Sequence, residues 1–381
     1  MTQADYIILG AGASGLMLAY RMANDSFFDH KAVIIIDQFK DKGNDRTWCY
    51  WDNGVGDWDD LLHKKWSKIH FESEDYSKIS LLDHYKYKMI RSAPFYKTLW
   101  NIIDVKSNIS FYQAQVSEIK EQDALVTVVS DKGKFTALKV FNSLLLNNNY
   151  KTQIKYPVLQ QHFLGWFIET ETPIFDKEVA TFMDFNIPQN GNTRFMYVLP
   201  SSKTEALFEY TLFSEKLLEK EEYEEAIRTY LEKKNITAYT IVEKEYGIIP
   251  MTSYRFSEEN TKHILNIGTV GGWTKASTGY TFKNTTKKTK ELIAFLKYET
   301  DLTKFEKRTK FWFYDLLFLD VLVTENSYGA TLFSSLFKNT NVITVFKFLD
   351  EESTFFEDLK IITAIPPLRF LKALFRRLIY L

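Results

Sequence analysis

Three glycines closing an apolar run, one glutamate in an otherwise apolar strand, and a second glycine cluster far downstream are the parts of this chain able to do chemistry. The first set is Gly10, Gly12 and Gly15 in DYIILGAGASGLMLAYRM, at GxGxxG spacing between the apolar run Tyr6 to Leu9 and a helical pattern that starts near Leu16. Gly10 permits a tight strand-to-helix turn, Gly12 leaves the backbone bare where a pyrophosphate approaches, and Gly15 lets the helix lie close on the strand. The helix N-terminus then faces the phosphates. Lys31 to Ile36 reads as the second strand, and Asp37 lies 22 residues past Gly15 (37 minus 15), the offset of a carboxylate that binds a ribose hydroxyl. The second cluster is IGTVGGWTKASTGYTF, residues 267–282, with Gly268, Gly271, Gly272 and Gly279. Two distant glycine-rich segments are what a flavin-binding chain requires.

Glu209 lies in ALFEYTLF, where Ala206, Phe208, Tyr210 and Leu212 on one face and Leu207, Thr211 and Phe213 on the other are largely apolar. A carboxyl placed there is desolvated, which raises its pKa and suits it to give up a proton near neutrality. The competing reading is an edge-strand glutamate facing water.

The elements that position these groups follow from pattern. With 381 residues the chain can bury a full core and hold two or three domains. Pro94 to Val105 has helical spacing, and Ile109 to Leu146 alternates short β-rich runs with turns, as in a β-meander. Gln160 to Phe213 is strand-rich, with a hairpin formed by Arg194 to Leu199, a turn over Pro200 to Thr204, and Glu205 to Phe213. Glu215 to Lys234 reads as a charged helix, and the chain is mostly helical from Asn284 onward. These elements give an α/β fold. Residues 1–75, 91–155 and 240–300 make a discontinuous Rossmann-like nucleotide-binding domain, 76–90 and 156–239 an inserted β-rich substrate domain, and 301–381 a helical C-terminal region.

Composition narrows the class. Lys plus Arg number 48 against 49 Asp plus Glu, so no global charge argues for nucleic acid. Cys49 is the single cysteine, which fits a reducing compartment, and six histidines without ligand spacing give no reason to expect a metal. The first strand begins by Asp5, leaving no room for a signal peptide, so a cytoplasmic protein is expected. No apolar run is long enough to span a bilayer, since FWFYDLLFLDVLV is broken by Asp315 and Asp320. Aromatic residues make up 16%, including 31 Phe and 22 Tyr, for which AT-biased codon usage and function are equal explanations.

NDRTWCYW (residues 44–51), QQHFLGW (160–166), FMDF followed by RFMYVLP, LFEYTLFS (207–214), YGIIPM (246–251) and GGWTKASTGYTF together resemble the lycopene β-cyclases of carotenoid-making bacteria, in order and spacing from Asp5 to about Leu349. The resemblance implies a flavoprotein of the glutathione-reductase and hydroxybenzoate-hydroxylase type, with FAD bound in reduced form and NAD(P)H as reductant. It implies closure of the linear ends of lycopene into β-ionone rings, and it puts the family's essential glutamate at Glu209. Many relatives carry Asp and Arg where this chain reads Phe141-Asn142-Ser143-Leu144, so no role is carried to that segment. The alternatives are a redox flavoenzyme of the same fold, such as a hydroxylase or prenyl reductase, and a non-catalytic flavin protein that binds carotenoid.

Ring closure needs a proton delivered to an alkene, a carbocation kept from water, and a proton removed, hence a dry, aromatic site with one acid. Asp184 in FMDF is either a second acid or a turn-binding structural residue. Trp48, Trp51, Trp166 and Trp273 either line the polyene site or fill the core. Arg46 either contacts the cofactor or pairs with Asp45. In PLRFLKALFRRLIYL, Leu368, Leu371, Leu374, Phe375 and Leu378 share one helical face, with Arg369, Lys372, Arg376 and Arg377 largely elsewhere. That helix either lies in a bilayer interface, at the inner face of the cell membrane, or packs on the body.

Overall fold

Strands that are apolar on both faces demand cover on both faces, and the first sheet receives it. The computed structural model describes residues 2–380; in it Thr2–Leu9 runs parallel between Val33–Asp37 and Gly133–Asn142, with Tyr6 opposite Val33 on one side and Lys139 on the other. Ile8 and Ile35 pack under the helices Ala13–Ala23, Ser92–Ile103 and Phe282–Leu296. Ile7, Leu9 and Ile36 meet Val126, Val128 and Phe135 on the opposite face. Ile264–Asn266 adds a further parallel strand beside Val140 to Asn142.

Val116–Gln122, Leu125–Ser130 and Gly133–Asn142 form the expected meander. Ile109–Gln113 does not belong to it: it pairs in parallel with Val33–Asp37 at the far edge of the sheet. A parallel partner requires a crossover, and Ser92–Ile103 is the helix that carries the chain to that edge.

The second sheet has the order Thr240–Thr252, Val158–Glu169, Glu205–Ser214, Thr193–Pro200, Val179–Asp184, Lys68–Ser73, Tyr76–Leu81. The hairpin read from sequence is present, with Arg194 opposite Leu212 and Pro200 opposite Ala206. Two expected boundaries differ from sheet membership. Lys68–Ser73 pairs with Val179–Asp184 and buries Ile69 and Phe71 in the second sheet, although it precedes residue 76. Thr240–Thr252 pairs along its length with Val158–Glu169, so the chain leaves the second sheet only after residue 252. A small antiparallel sheet of Thr47–Asn53, Tyr85–Arg91 and Lys64–Trp66 accompanies the two large ones.

One face of the second sheet lies under helix Lys220–Lys233, where Trp166, Phe208 and Leu212 meet Tyr223 and Leu231. The other face packs against C-terminal helices, Lys310–Thr324, Gly329–Asn339 and Val342–Leu349. Rings dominate that core: Phe71 stacks on Phe337 at 4.3 Å and Trp51 on Phe346 at 4.3 Å. Much of the aromatic excess is therefore packing between sheet and helices.

The last helix, Pro367–Tyr380, docks on Lys310–Thr324 by one edge. Ala373 is buried there, Arg377 pairs with Asp320 at 2.6 Å, and Arg369 pairs with Glu325 at 2.6 Å. The opposite face points outward, with Leu368, Phe375 and Leu378 each more than 60% exposed. Phe355 and Phe356 on the preceding helix, Phe355–Ala364, are also exposed. Among the described residues no helix is long and apolar enough to cross a membrane.

Candidate functional site

The first strand ends in the turn that its glycines allow. Gly10 has φ of +92°, and a Cβ there would stand 2.1 Å from Ser143 Oγ. Gly15 lies against Gly10, whose carbonyl oxygen would be 1.9 Å from an added Cβ. Gly12 is different: no atom lies within 4 Å of where its Cβ would be, and it borders a cavity of about 400 Å³. Gly12 is also the N-cap of Ala13–Ala23 and makes no side-chain cap bond, so the first N–H groups of that helix are free to meet an anion. A bare backbone beside open space and a helix N-terminus is a cradle that fits a pyrophosphate.

Asp37 ends the second strand, as expected, but stands behind the cavity rather than in it. Its carboxylate accepts from Ala11 N at 2.5 Å, from Phe39 N at 3.0 Å and from Lys42 Nζ at 2.7 Å. The second glycine segment divides in the same way. Gly268 abuts Ser14 at the helix N-terminus and Gly279 abuts Gln161, and both border the cavity. Gly271 and Gly272 instead border a neighbouring cavity of about 230 Å³; Gly271 is pressed on the Asn266 carbonyl, and Gly272 closes the turn in a left-handed conformation. The structure thus joins Gly12, Gly268, Gly279 and Glu209 in one space. Gly10, Gly15 and Asp37 shape it from behind.

The rest of the cavity wall comes from the second and third sheets. Leu207 and Glu209 project from Glu205–Ser214, Tyr197 and Leu199 from Thr193–Pro200, Cys49 from Thr47–Asn53 and Tyr87 from Tyr85–Arg91. Glu209 is half-buried, and the surface it retains is in the cavity. Burial pushes its carboxyl up to about 8, the Glu245 carboxylate pushes in the same direction, and the hydrogen bond from Thr211 Oγ1 (2.9 Å) opposes them. The expected desolvated acid is therefore in place, and the water-facing edge position is not what the fold builds. Burial also raises the Cys49 thiol and the Tyr197 and Tyr280 hydroxyls, whose oxygens lie 3.1 Å apart. These groups stay neutral at physiological pH, so beside Glu209 the second and third sheets offer rings and weak dipoles.

The remaining residues separate cleanly. Asp184 is buried away from the cavity, accepting from Asn186 N at 2.8 Å and from the Tyr230 hydroxyl at 2.7 Å, which is the structural alternative. Of the four tryptophans, only Trp48 lines the cavity, stacked with Phe282 at 5.1 Å. Trp51, Trp166 and Trp273 are core residues, the first and last tied through Nε1 to Asp350 and Glu306. Arg46 and Asp45 both line the cavity, and Arg46 donates to the Asp45 backbone carbonyl at 2.6 Å rather than to its carboxylate.

Glu245 was not singled out by sequence. It is 4% exposed and accepts from Thr47 N at 2.8 Å and from Thr47 Oγ1 at 2.5 Å. The signal was a glutamate in the strand TIVEKEYGIIPMT facing across a glycine in QQHFLGWFIE, legible only once those strands are known to pair.

Comparison with known proteins agrees with this geometry. A family model described as lycopene cyclase protein matches residues 5–375. The chain is 23% identical over 314 residues to the chloroplastic neoxanthin synthase of Solanum lycopersicum, covering 73% of this chain and 57% of that protein. It is 23% identical over 305 residues to the chromoplastic capsanthin/capsorubin synthase of Capsicum annuum, covering 72% and 57%. The chain thus spans little more than half the length of these relatives. Among solved structures it is similar to a geranylgeranyl bacteriochlorophyll reductase-like protein of Thermoplasma acidophilum, with a TM-score of 0.69, 12% identity and 98% of each chain covered. The flavin-dependent brominase Bmp2 superposes with a TM-score of 0.64, 12% identity and 99% of each chain covered. At those identities the likeness is one of fold: an α/β chain with a Rossmann-like sheet and a helical C-terminus.

Proposed function

We infer the reaction from the premise that this chain belongs to the lycopene cyclase family, whose model spans residues 5–375. The reading is a lycopene β-cyclase that closes the linear ends of lycopene into β-ionone rings, giving first one ring and then two, with no net redox change. One observation carries it: the Glu209 carboxyl, held up to about 8 by burial and by a neighbouring carboxylate, stands in the same cavity as the bare Gly12 backbone.

At neutral pH an acid of that strength is mostly protonated, so Glu209 can transfer its proton to a terminal alkene carbon. The tertiary cation this leaves is attacked by the next double bond, forming the ring C–C bond. Loss of a proton from a carbon of the new ring then makes the ring double bond. One proton is gained and one lost, so the product is an isomer of the substrate. The chain's part is to hold the acid proton at Glu209, to keep water out with Leu199, Leu207, Tyr87 and Tyr197, and to set aromatic faces near the cation. FAD, whose pyrophosphate the Gly12 backbone and the N-terminus of Ala13–Ala23 would hold, would in its reduced form supply electron density that stabilises positive charge, would not be consumed, and would take its electrons from NAD(P)H.

A substrate that dissolves only in lipid implies access from a membrane. In this reading the protein is cytoplasmic and rests on the inner face of the cell membrane through the outward apolar faces of Phe355–Ala364 and Pro367–Tyr380. Arg369 and Arg377 serve the docking of the last helix on the body, which leaves Lys372 and Arg376 exposed beside the apolar face. The test of the function is expression in a bacterium that accumulates lycopene, with chromatography of its pigments. Conversion to monocyclic and bicyclic carotenes is the expected result; unchanged lycopene, with protein present and flavin bound, would rule the activity out.

A further inference from the structure

The second carboxylate of the site lies outside the cavity and has no role in the mechanism so far. Strand Val158–Glu169 runs between Glu205–Ser214 and Thr240–Thr252, and its Gly165 is directly opposite Glu209 on one side and Glu245 on the other. Neighbouring strands lie about 5 Å apart, and directly opposed residues project to the same face. Any side chain at position 165 would stand between the two carboxylates. Gly165 has none, and there is no room for one: a Cβ would lie 2.8 Å from Leu207 Cδ1 and 3.6 Å from Glu209 Cβ. The sheet therefore sets two acids on one face with a gap between them.

The two acids are not equivalent. Glu245 is fully enclosed and receives hydrogen bonds on both oxygens, from the amide and the hydroxyl of Thr47. Burial pushes the Glu245 carboxyl above its ordinary value, and against that both bonds and the nearby Arg91 and Arg46 guanidinium groups favour its charged form, support that Glu209 lacks. Glu209 receives one bond, from Thr211, and no cation pairs with it among the described residues. Two carboxyls on one face across a single strand, with little water between them, raise the cost of ionising both, and the Glu245 charge pushes the Glu209 carboxyl up. With the better-supported anion at Glu245, the proton belongs on Glu209.

We propose that Glu245 is the positioning residue of the acid: an anion anchored by Thr47 across the Gly165 gap, which keeps the transferable proton on Glu209. The proposal rests on Glu209 being the proton donor. It also bears on the later steps. Once Glu209 has given its proton to the alkene, its carboxylate faces the cation with the Glu245 charge behind it outside the cavity, which adds to the attraction and makes Glu209 quick to take a proton back. The other polar groups near Glu209 are Thr211 on its own strand, Tyr197 on the next, Cys49 and Tyr87 from the small sheet, and Tyr280 from the second glycine segment. Of the groups around Glu209, Glu245 alone brings a full charge that pushes the proton onto it.

The test is Glu245→Gln, which keeps the size of the side chain and its contacts with Thr47 but removes the charge. With purified, FAD-reduced protein and lycopene in liposomes, the alkaline limb of the rate profile should move down by one pH unit or more. Activity should then be lost about tenfold above the limb and little changed well below it. Glu245→Asp, which keeps the charge, should restore most of the limb. A loss that is the same at every pH, or a limb that stays in place in Glu245→Gln, would overturn the proposal. A second readout needs no turnover: the pH dependence of the melting-temperature difference between Glu245→Gln and Glu245→Gln/Glu209→Gln reports where Glu209 titrates. That difference should begin at the same pH but level off at lower pH, and at a smaller size, than the one between the wild type and Glu209→Gln; identical profiles contradict the proposal even if the wild type proves not to cyclise lycopene. Should Glu245→Gln fail to fold, Thr47→Val removes one of the two donors and should move both readouts in the same direction by less, and no movement counts against it.

Discussion

Replacing Glu209 by glutamine should make the protein more stable, increasingly so as the pH rises. In the folded state the carboxyl titrates at about 8, against an ordinary value of 4.5. Between those values the native protein keeps a proton that the unfolded chain has released, so ionisation favours unfolding, and stability falls as pH increases. Below about 4.5 the effect is absent, and above about 8 it is complete. The interval of 3.5 units (8 minus 4.5) corresponds to a ceiling of roughly 5 kcal/mol at ~1.4 kcal/mol per unit. For a chain of 381 residues an unfolding entropy of ~0.8 kcal/mol/K turns that into roughly 6 °C of melting temperature. Glutamine has nearly the same shape and can still accept from Thr211 Oγ1, so the comparison isolates the charge. Melting both proteins with FAD retained, at steps from about pH 4.5 to 8.5, should give a gap in favour of the variant that opens by several degrees. A gap that does not change with pH would refute a raised acid at this position, whatever the effect on activity.

Gly12→Val should abolish retention of FAD while leaving the fold intact, because its side chain meets open cavity rather than protein; full flavin occupancy, read by absorbance after gel filtration, would contradict the cradle. The cyclisation rate of the wild type should fall as pH rises through about 8, since the acid must be protonated, and a rate that rises through that range excludes Glu209 as donor. Deleting residues 366–381, or replacing Leu371, Phe375, Phe355 and Phe356 by Glu, should release the protein from anionic vesicles in a flotation assay; unchanged binding would leave the outward faces without that role.

What could be read from the sequence was what local chemistry dictates. The GxGxxG turn, the strand ending in Asp37 and the hairpin around Pro200 to Thr204 are each specified by neighbouring residues, and each is found where the pattern put it. Glu209 was legible for a related reason: a carboxylate in a strand apolar on both sides must be desolvated on either face. Long-range pairing was harder to read. The partner of Ile109–Gln113 is fixed by the crossover helix, and the membership of Lys68–Ser73 and Thr240–Thr252 by strands about a hundred residues away, none of which leaves a mark in the segments themselves. Glu245 belongs to that class, because its importance arises from facing Gly165. The tryptophans show the opposite limit: composition could not separate Trp48, which lines the cavity, from Trp51, Trp166 and Trp273, which fill the core. In the basic C-terminal helix, Arg369 and Arg377 looked like surface charge until Glu325 and Asp320 were found beneath them.

The central claim is that Glu209 starts a cyclisation in which electrons are neither gained nor lost. Its most direct test is the reaction run without oxygen in deuterated water, with FAD reduced once by dithionite and no NAD(P)H added. The account predicts many rings formed per flavin, solvent deuterium in each ring, and a loss of about a hundredfold or more in Glu209→Gln with FAD still bound. A reaction that stops after about one ring per reduced flavin, or a Gln variant that cyclises at the wild-type rate, would contradict it.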